Sequence, residues 1–237
     1  MEAQPKCNLI IDSCCDLPFE VIDRPGVQLL EFPYIDEKGE HSDDLYRTIT
    51  PHEFYEGMRA GSQPSTAQVP VTVFQDVFSK AIESGVPTVY LSFTSGLSGS
   101  FNTAVMMRDQ LIAEHPEAEL YVVDTYLASV AEALLVYEAL NQRDNGMTAR
   151  ELAAWAEEAR YFVDAEFMVD DLESLRRGGR IPSTVAYAGA KLDVKPLLNI
   201  SIEGKLALTG VARGRKKGIR QLAEYCSKRM TDQKPGR

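Results

Sequence analysis

Short apolar runs rich in β-branched residues, separated by stretches of helical periodicity, constrain this chain more than any other feature. Residues 7–12, Cys-Asn-Leu-Ile-Ile-Asp, read as a buried strand, as do 86–91, Val-Pro-Thr-Val-Tyr-Leu, and 120–123, which Asp124-Thr125 closes. Residues 27–32 are a further candidate. Continuous apolar runs of this length are typical of strands covered on both faces. Between them, Val73, Phe74, Val77, Phe78, Ala81 and Ile82 recur at helical spacing. Later helices would use Phe101, Ala104, Val105, Leu111 and Ile112, then Leu127, Val130, Ala131, Leu134 and Leu135. Thr50-Pro51-His52-Glu53 and Thr148-Ala149-Arg150-Glu151 are capping-box starts. The first predicts a helix burying Phe54, Tyr55 and Met58, and the second one with Leu152, Trp155, Ala156 and Ala159 on one face. Alternating strands and helices argue an α/β fold, a parallel sheet with helices on both faces.

The grammar changes near residue 160. Residues 162–169 read as a strand, and Arg176-Arg177-Gly178-Gly179-Arg180 as the close of a short helix. Extended segments at 194–200 and 205–212, joined by Glu203-Gly204-Lys205, form an antiparallel hairpin. The expected division is an N-terminal α/β domain, 1–160, and a second α/β domain with antiparallel strands, 161–237. A smaller hairpin is expected around the Asp36-Glu37-Lys38-Gly39 turn.

Two clusters of small hydroxyl residues punctuate this pattern. Gly61-Ser62-Gln63-Pro64-Ser65 follows the first capped helix. Ser92-Phe93-Thr94-Ser95-Gly96-Leu97-Ser98-Gly99-Ser100 lies between a buried strand and an amphipathic helix. A turn at a strand's carboxyl end and a helix's amino end suits an anion, because free N–H groups and the helix dipole favour negative charge there. Ser and Thr also occupy such turns for capping alone. Ser62, Gln63, Thr94, Ser95 and Ser98 are the candidate ligand-binding residues.

Several chemistries find no support. Gly96-Leu97-Ser98-Gly99-Ser100 misses the G-x-S-x-G nucleophile elbow, and His41, His52 and His115 sit in poor positions for a general base. No P-loop or dinucleotide fingerprint is present. Cys7, Cys14, Cys15 and Cys226 match no redox or zinc spacing and read as reduced, small apolar residues. No cofactor, no metal site and no catalytic residue is expected. No run approaches the roughly 20 apolar residues of a membrane span. The N-terminus lacks the apolar core of a signal peptide, so the expectation is a cytoplasmic protein without stable membrane insertion.

Charge is unevenly spread. Residues 171–237 hold 15 Lys and Arg against 6 Asp and Glu, a balance of +9, within a chain of net charge −10. Such a segment could meet nucleic acid, an acidic protein or a phosphorylated group; it could also simply attract the acidic remainder or face solvent. Among these residues only Tyr187 and Tyr225 could serve as stacking platforms and no helix-turn-helix is evident, which speaks against nucleic acid.

The motifs, in order, resemble those of the DegV family of bacterial fatty-acid-binding proteins. Asp12-Ser13-Cys14-Cys15-Asp16-Leu17-Pro18 is similar to its D-S-x-x-D-L-P, and Gly61-Ser62-Gln63-Pro64-Ser65 to its T-S-Q-P-S. Thr94-Ser95-Gly96-Leu97-Ser98-Gly99-Ser100-Phe101 resembles S-S-x-L-S-G-T-Y, and Val122-Val123-Asp124-Thr125 resembles V-x-D-S. Leu172 to Ile181 resembles L-x-x-L-x-x-G-G-R-I. Leu192-Asp193-Val194-Lys195-Pro196-Leu197-Leu198 and Arg213-Gly214-Arg215-Lys216-Lys217 resemble L-x-x-K-P-I-L and R-x-x-K-K. The collinear order carries the likeness along almost the whole chain.

The resemblance implies two α/β domains with a long-chain fatty acid in a tunnel between them, its carboxylate held by hydroxyls of the two turns. It implies a carrier that hands the acid to a partner fatty acid kinase for phospholipid synthesis, with Arg180, Arg213 and Arg215 on the partner-facing side. Two departures stand out. Gly61 replaces the signature threonine, so the head group must lean on Ser62, Thr94 and Ser95, or on water. The chain also ends at Arg237, before a late histidine-containing segment usual in the family, which implies a short or C-terminally truncated member. The competing readings are a serine-dependent acyl hydrolase or transferase using Ser95 or Ser98, and a nucleic-acid-binding regulator.

Overall fold

The computed structural model describes residues 5–182 and 194–229. Tyr187 and the Leu192-Asp193 start of one motif lie outside the described residues. The chain divides into two compact units, Met1–Val163 with Ile202–Gly204, and Asp164–Ser201 with Lys205–Arg237.

The first unit is built on a parallel sheet of β1 (Asn8–Asp12), β2 (Val27–Leu30), β6 (Thr88–Ser92) and β7 (Leu120–Asp124), in the order β2-β1-β6-β7. Strand side chains alternate between faces. Leu9, Ile11, Val89 and Leu91 therefore pack on one side, against Val136, Ala139 and Leu140 of α5 (Ser129–Asp144) and Leu152, Ala153 and Ala156 of α6 (Ala149–Ala159). Ile10 and Tyr90 pack on the other, against Phe74, Val77, Phe78 and Ala81 of α3 (Val71–Glu83) and Ala104, Met107 and Leu111 of α4 (Ser100–Glu114). Both faces are covered, as the apolar runs require.

A short helix, α1 (Phe19–Ile22), links β1 to β2. A small antiparallel sheet, β3 (Pro33–Asp36), β4 (Gly39–Ser42) and β5 (Ser65–Thr66), takes the order β4-β3-β5, and α2 (Pro51–Arg59) lies between β4 and β5 in sequence. Both capping boxes form: Glu53 N–H reaches Thr50 Oγ1 at 3.2 Å, and Glu151 N–H reaches Thr148 Oγ1 at 3.3 Å.

The second unit is an antiparallel sheet ordered β10-β9-β8, from β8 (Glu166–Met168), β9 (Val194–Ile200) and β10 (Leu206–Arg213). It also contains α7 (Glu173–Arg177) and α8 (Arg215–Arg229). Leu172, Ile181 and Leu198 form its small core, with Phe167, Val169, Leu175 and Leu206 against them.

Three expectations need correction. No residue of α2 is buried, and Tyr55 is half exposed; Phe54 instead meets the Tyr34 ring edge-on at 5.6 Å. On α5, Val130 and Leu134 are 69% and 59% exposed, because the inward face runs through Ala131, Leu135, Val136, Ala139 and Leu140 and includes Glu132 and Arg143. Residues 162–169 are not one strand. Arg160–Phe162 is a 3₁₀ turn, pinned by the Arg160 guanidinium on the Asp124 carbonyl and over the Tyr126 ring, and β8 is confined to Glu166–Met168. The basic stretch after Arg213, which carries the R-x-x-K-K likeness and for which no element was expected, is α8.

Candidate functional site

The strand order places β1 and β6 side by side while their connections leave in opposite directions. Open α/β sheets bind ligands at the carboxyl ends of strands at such a switch point. The ends here are Asp12 on β1, Ser92 to Ser95 after β6, and Asp124-Thr125 on β7.

Two carboxylates fix the turn between them. Asp12, fully buried, accepts from Phe93 N–H at 2.7 Å, from the Tyr90 hydroxyl at 3.0 Å and from Cys14 N–H at 3.1 Å. Burial pushes its pKa up to about 7, against the lowering effect of those hydrogen bonds. On the other flank Asp124 accepts from Ser95 N–H at 3.2 Å and Tyr126 N–H at 3.0 Å. Thr94 N–H donates to the Leu127 carbonyl, Gly96 N–H to Thr94 Oγ1 and Leu97 N–H to the Thr94 carbonyl. The N–H groups from Phe93 to Leu97 are thus spent within the fold. Within residues 93–97 this leaves the side-chain hydroxyls as the donors an anion could meet.

Those hydroxyls are not equivalent. Thr94 is buried, and its Oγ1 donates to the Gly204 carbonyl at 2.9 Å. Ser98 Oγ donates to Ser100 Oγ at 3.0 Å, and Ser100 Oγ accepts from Val69 N–H at 3.1 Å. Ser95 is half-buried, and its hydroxyl has no partner among the described residues.

The first turn reaches the second through the segment that follows it. Val69 meets Ser100, and Gln68 lies so close to Gly99 that a Cβ there would stand 2.4 Å from its amide nitrogen. Among the described residues no hydrogen bond joins Ser62 to Ser95. Ser62 Oγ instead donates to Glu37 Oε2 at 2.7 Å, and Gln63 N–H to Glu37 Oε1 at 3.0 Å. Gly61 has φ +113°, a conformation a β-branched threonine resists. Sequence reasoning singled out the hydroxyls but not Glu37, which registered only as part of a turn.

One buried carboxyl was also missed. Glu132, on the first turn of α5, is fully buried, and neither oxygen has a hydrogen-bond partner among the described residues. Burial, with Asp12, Asp16 and Asp124 nearby, raises its pKa well above the ordinary carboxylate range.

In the second unit, Arg213, Lys216, Lys217 and Arg220 line an open hollow of about 480 Å³ with Gln221 and Glu224. These four cations form no ion pair among the described residues. Arg215 faces Asp170 at 3.6 Å, and Arg180 Nη1 donates to the Gly178 carbonyl. A smaller hollow, about 210 Å³, lies at the amino ends of β6 and β7, the opposite end from the hydroxyl turn. Among the described residues, no group of His, Cys, Asp and Glu could hold a metal ion, and no helix is long and apolar enough to cross a membrane.

The chain is similar to known proteins along nearly its whole length. A family model described as an uncharacterised protein of the DegV family matches residues 6–237. A DegV domain-containing protein of Clostridium perfringens is 34% identical over 227 residues, covering 96% of this chain and 78% of that protein. Among solved structures, a stearic-acid-binding protein from Eubacterium ventriosum aligns with a TM-score of 0.83 at 26% identity, over 94% of this chain and 76% of that one. A fatty-acid-binding DegV family protein from Thermus thermophilus aligns with a TM-score of 0.78 at 28% identity, over 94% and 78%.

Proposed function

The chain belongs to the DegV family, and from that premise we propose that it is a carrier that binds a long-chain fatty acid. The carboxylate is held at the hydroxyl turns by Ser62, Gln63 and Ser95, while Thr94 and Ser98 hold the second turn in shape. The observation that carries this reading is the half-buried Ser95 hydroxyl, set at the carboxyl end of the parallel sheet and fixed from behind by Asp124. Solved relatives described as binding stearic acid and fatty acids support the ligand class.

Energetically the chain of the lipid dominates. Each buried methylene contributes about 0.8 kcal/mol, so an apolar tunnel supplies the affinity and the head-group hydrogen bonds set the direction. Carriage needs no general base. The acyl-transfer alternative would need one on Ser95 or Ser98, and the Ser98 hydroxyl donates to Ser100 rather than to a base. The basic hollow around Arg213 is, in this reading, the face offered to a partner fatty acid kinase, with Arg180 and Arg215 on the same partner-facing side.

Titration of the purified chain with oleate tests the head-group assignment. Ser62→Ala and Ser95→Ala should each weaken binding about tenfold, since a hydrogen bond to a charged group is worth about 1.5–3 kcal/mol. Both variants should keep the wild-type melting temperature. Unchanged affinity in the double variant would reduce these hydroxyls to turn caps.

A further inference from the structure

The first hydroxyl turn already holds a carboxylate, and it is the chain's own. Glu37 comes from the tight turn between β3 and β4, 25 residues before Ser62. Each of its oxygens takes one donor, Ser62 Oγ at 2.7 Å and Gln63 N–H at 3.0 Å. That pairing of a hydroxyl and an adjacent N–H on the two oxygens of one carboxylate is the recognition a fatty acid's head group would need.

Neither loop depends on this contact for closure. The β3–β4 turn is closed by Lys38 N–H on Asp36 Oδ1 at 2.7 Å and by the His41–Asp36 pair at 2.8 Å. The other turn is closed by Gly61 N–H on the Met58 carbonyl and Ser62 N–H on the Gly57 carbonyl. Glu37 itself is exposed, so its carboxylate can return to water by side-chain rotation alone. Two carboxylates cannot share these two donors at neutral pH without strong mutual repulsion. Occupation by Glu37 and by a ligand carboxylate is therefore mutually exclusive.

We propose that Glu37 is an internal competitor for the fatty-acid head group, a latch that occupies the Ser62–Gln63 receptor until the ligand's carboxylate displaces it. This rests on the reading that Ser62 holds that head group. The latch keeps the two donors oriented between ligands. It also sets a threshold that favours acids whose chain burial is large enough to outcompete a tethered carboxylate.

A double-mutant cycle on oleate affinity tests it, using wild type, Ser62→Ala, Glu37→Ala and the double variant, with Glu37→Gln as a shape-preserving second form and a melting curve for each. The expected result is that Glu37→Ala binds oleate about fivefold more tightly than wild type. That gain should vanish in the Ser62→Ala background. If Ser62→Ala weakens binding but neither Glu37 variant tightens it, the latch is overturned and the receptor stands. If Glu37→Ala tightens binding equally with and without Ser62, general charge repulsion explains the gain and the latch is again overturned. If Ser62→Ala binds as wild type does, the receptor assignment falls and takes the latch with it.

Discussion

At the scale of single residues, the carboxyl end of the parallel sheet is an acidic interior. Asp12 is buried but well bonded, and Glu132 is buried without a bonding partner among the described residues. Asp12, Asp16 and Asp124 face Glu132, and Cys14, Cys15 and Tyr90 also feel its charge. Both acids have folded pKa values above their unfolded ones. Each then holds a proton in the folded chain that it loses on unfolding at the same pH. Their contribution to stability is fully present below the unfolded values and is lost as pH rises, for Asp12 through about 7. Urea unfolding should therefore show stability falling from about pH 4 to about pH 7. Glu132→Gln removes one titrating group, so it should shrink that fall and raise stability at the alkaline end. An unchanged pH slope in this variant would place Glu132's ionisation outside the folding balance. The hydroxyls were legible in the sequence because strand ends and helix starts mark where ligand chemistry collects. Glu132 and Glu37 were not: one sits inside a helical pattern where a charge reads as solvent-facing, and the other meets a partner 25 residues away.

At the scale of elements, the strands were legible because apolar β-branched runs have few other uses, and helix starts because Thr50–Glu53 and Thr148–Glu151 carry their caps in the sequence. Helix faces were less so. Val130 and Leu134 fit the period, but packing against β1 and α6 chose a face that includes Glu132 and Arg143. Buried Arg143 shows how: its guanidinium bonds to the carbonyls of Cys7 and Pro25 and to Asp144, so a cation can line the inner face. Helix α8 hid behind its charge and its glycine. Gly218 is buried there because Met168 of β8 packs directly on it. Arg213 at the end of β10, with Lys216, Lys217 and Arg220 of α8, is the surface on which partner recognition is expected. Arg213→Ala should leave oleate affinity at the wild-type value while slowing phosphorylation of the bound acid by a partner fatty acid kinase about tenfold or more, since guanidinium recognises phosphate and carboxylate in a way a neutral side chain cannot. Phosphorylation at the wild-type rate, or a loss of oleate, would remove Arg213 from the partner surface.

At the scale of the whole molecule, one chain joins an acidic unit, whose parallel sheet ends in hydroxyl turns, to a second unit with a basic helix. That division of charge was readable from residues 171–237 alone, though its helical form was not. The family relationship and the hydroxyl turns together make the central claim a binding claim: one fatty acid, held by its chain and oriented by its head. Non-denaturing mass spectrometry of the purified chain after incubation with excess oleate and gel filtration measures this directly. The chain should carry the added mass of a single oleate; a chain that emerges with no bound acid at saturating oleate would contradict fatty-acid carriage.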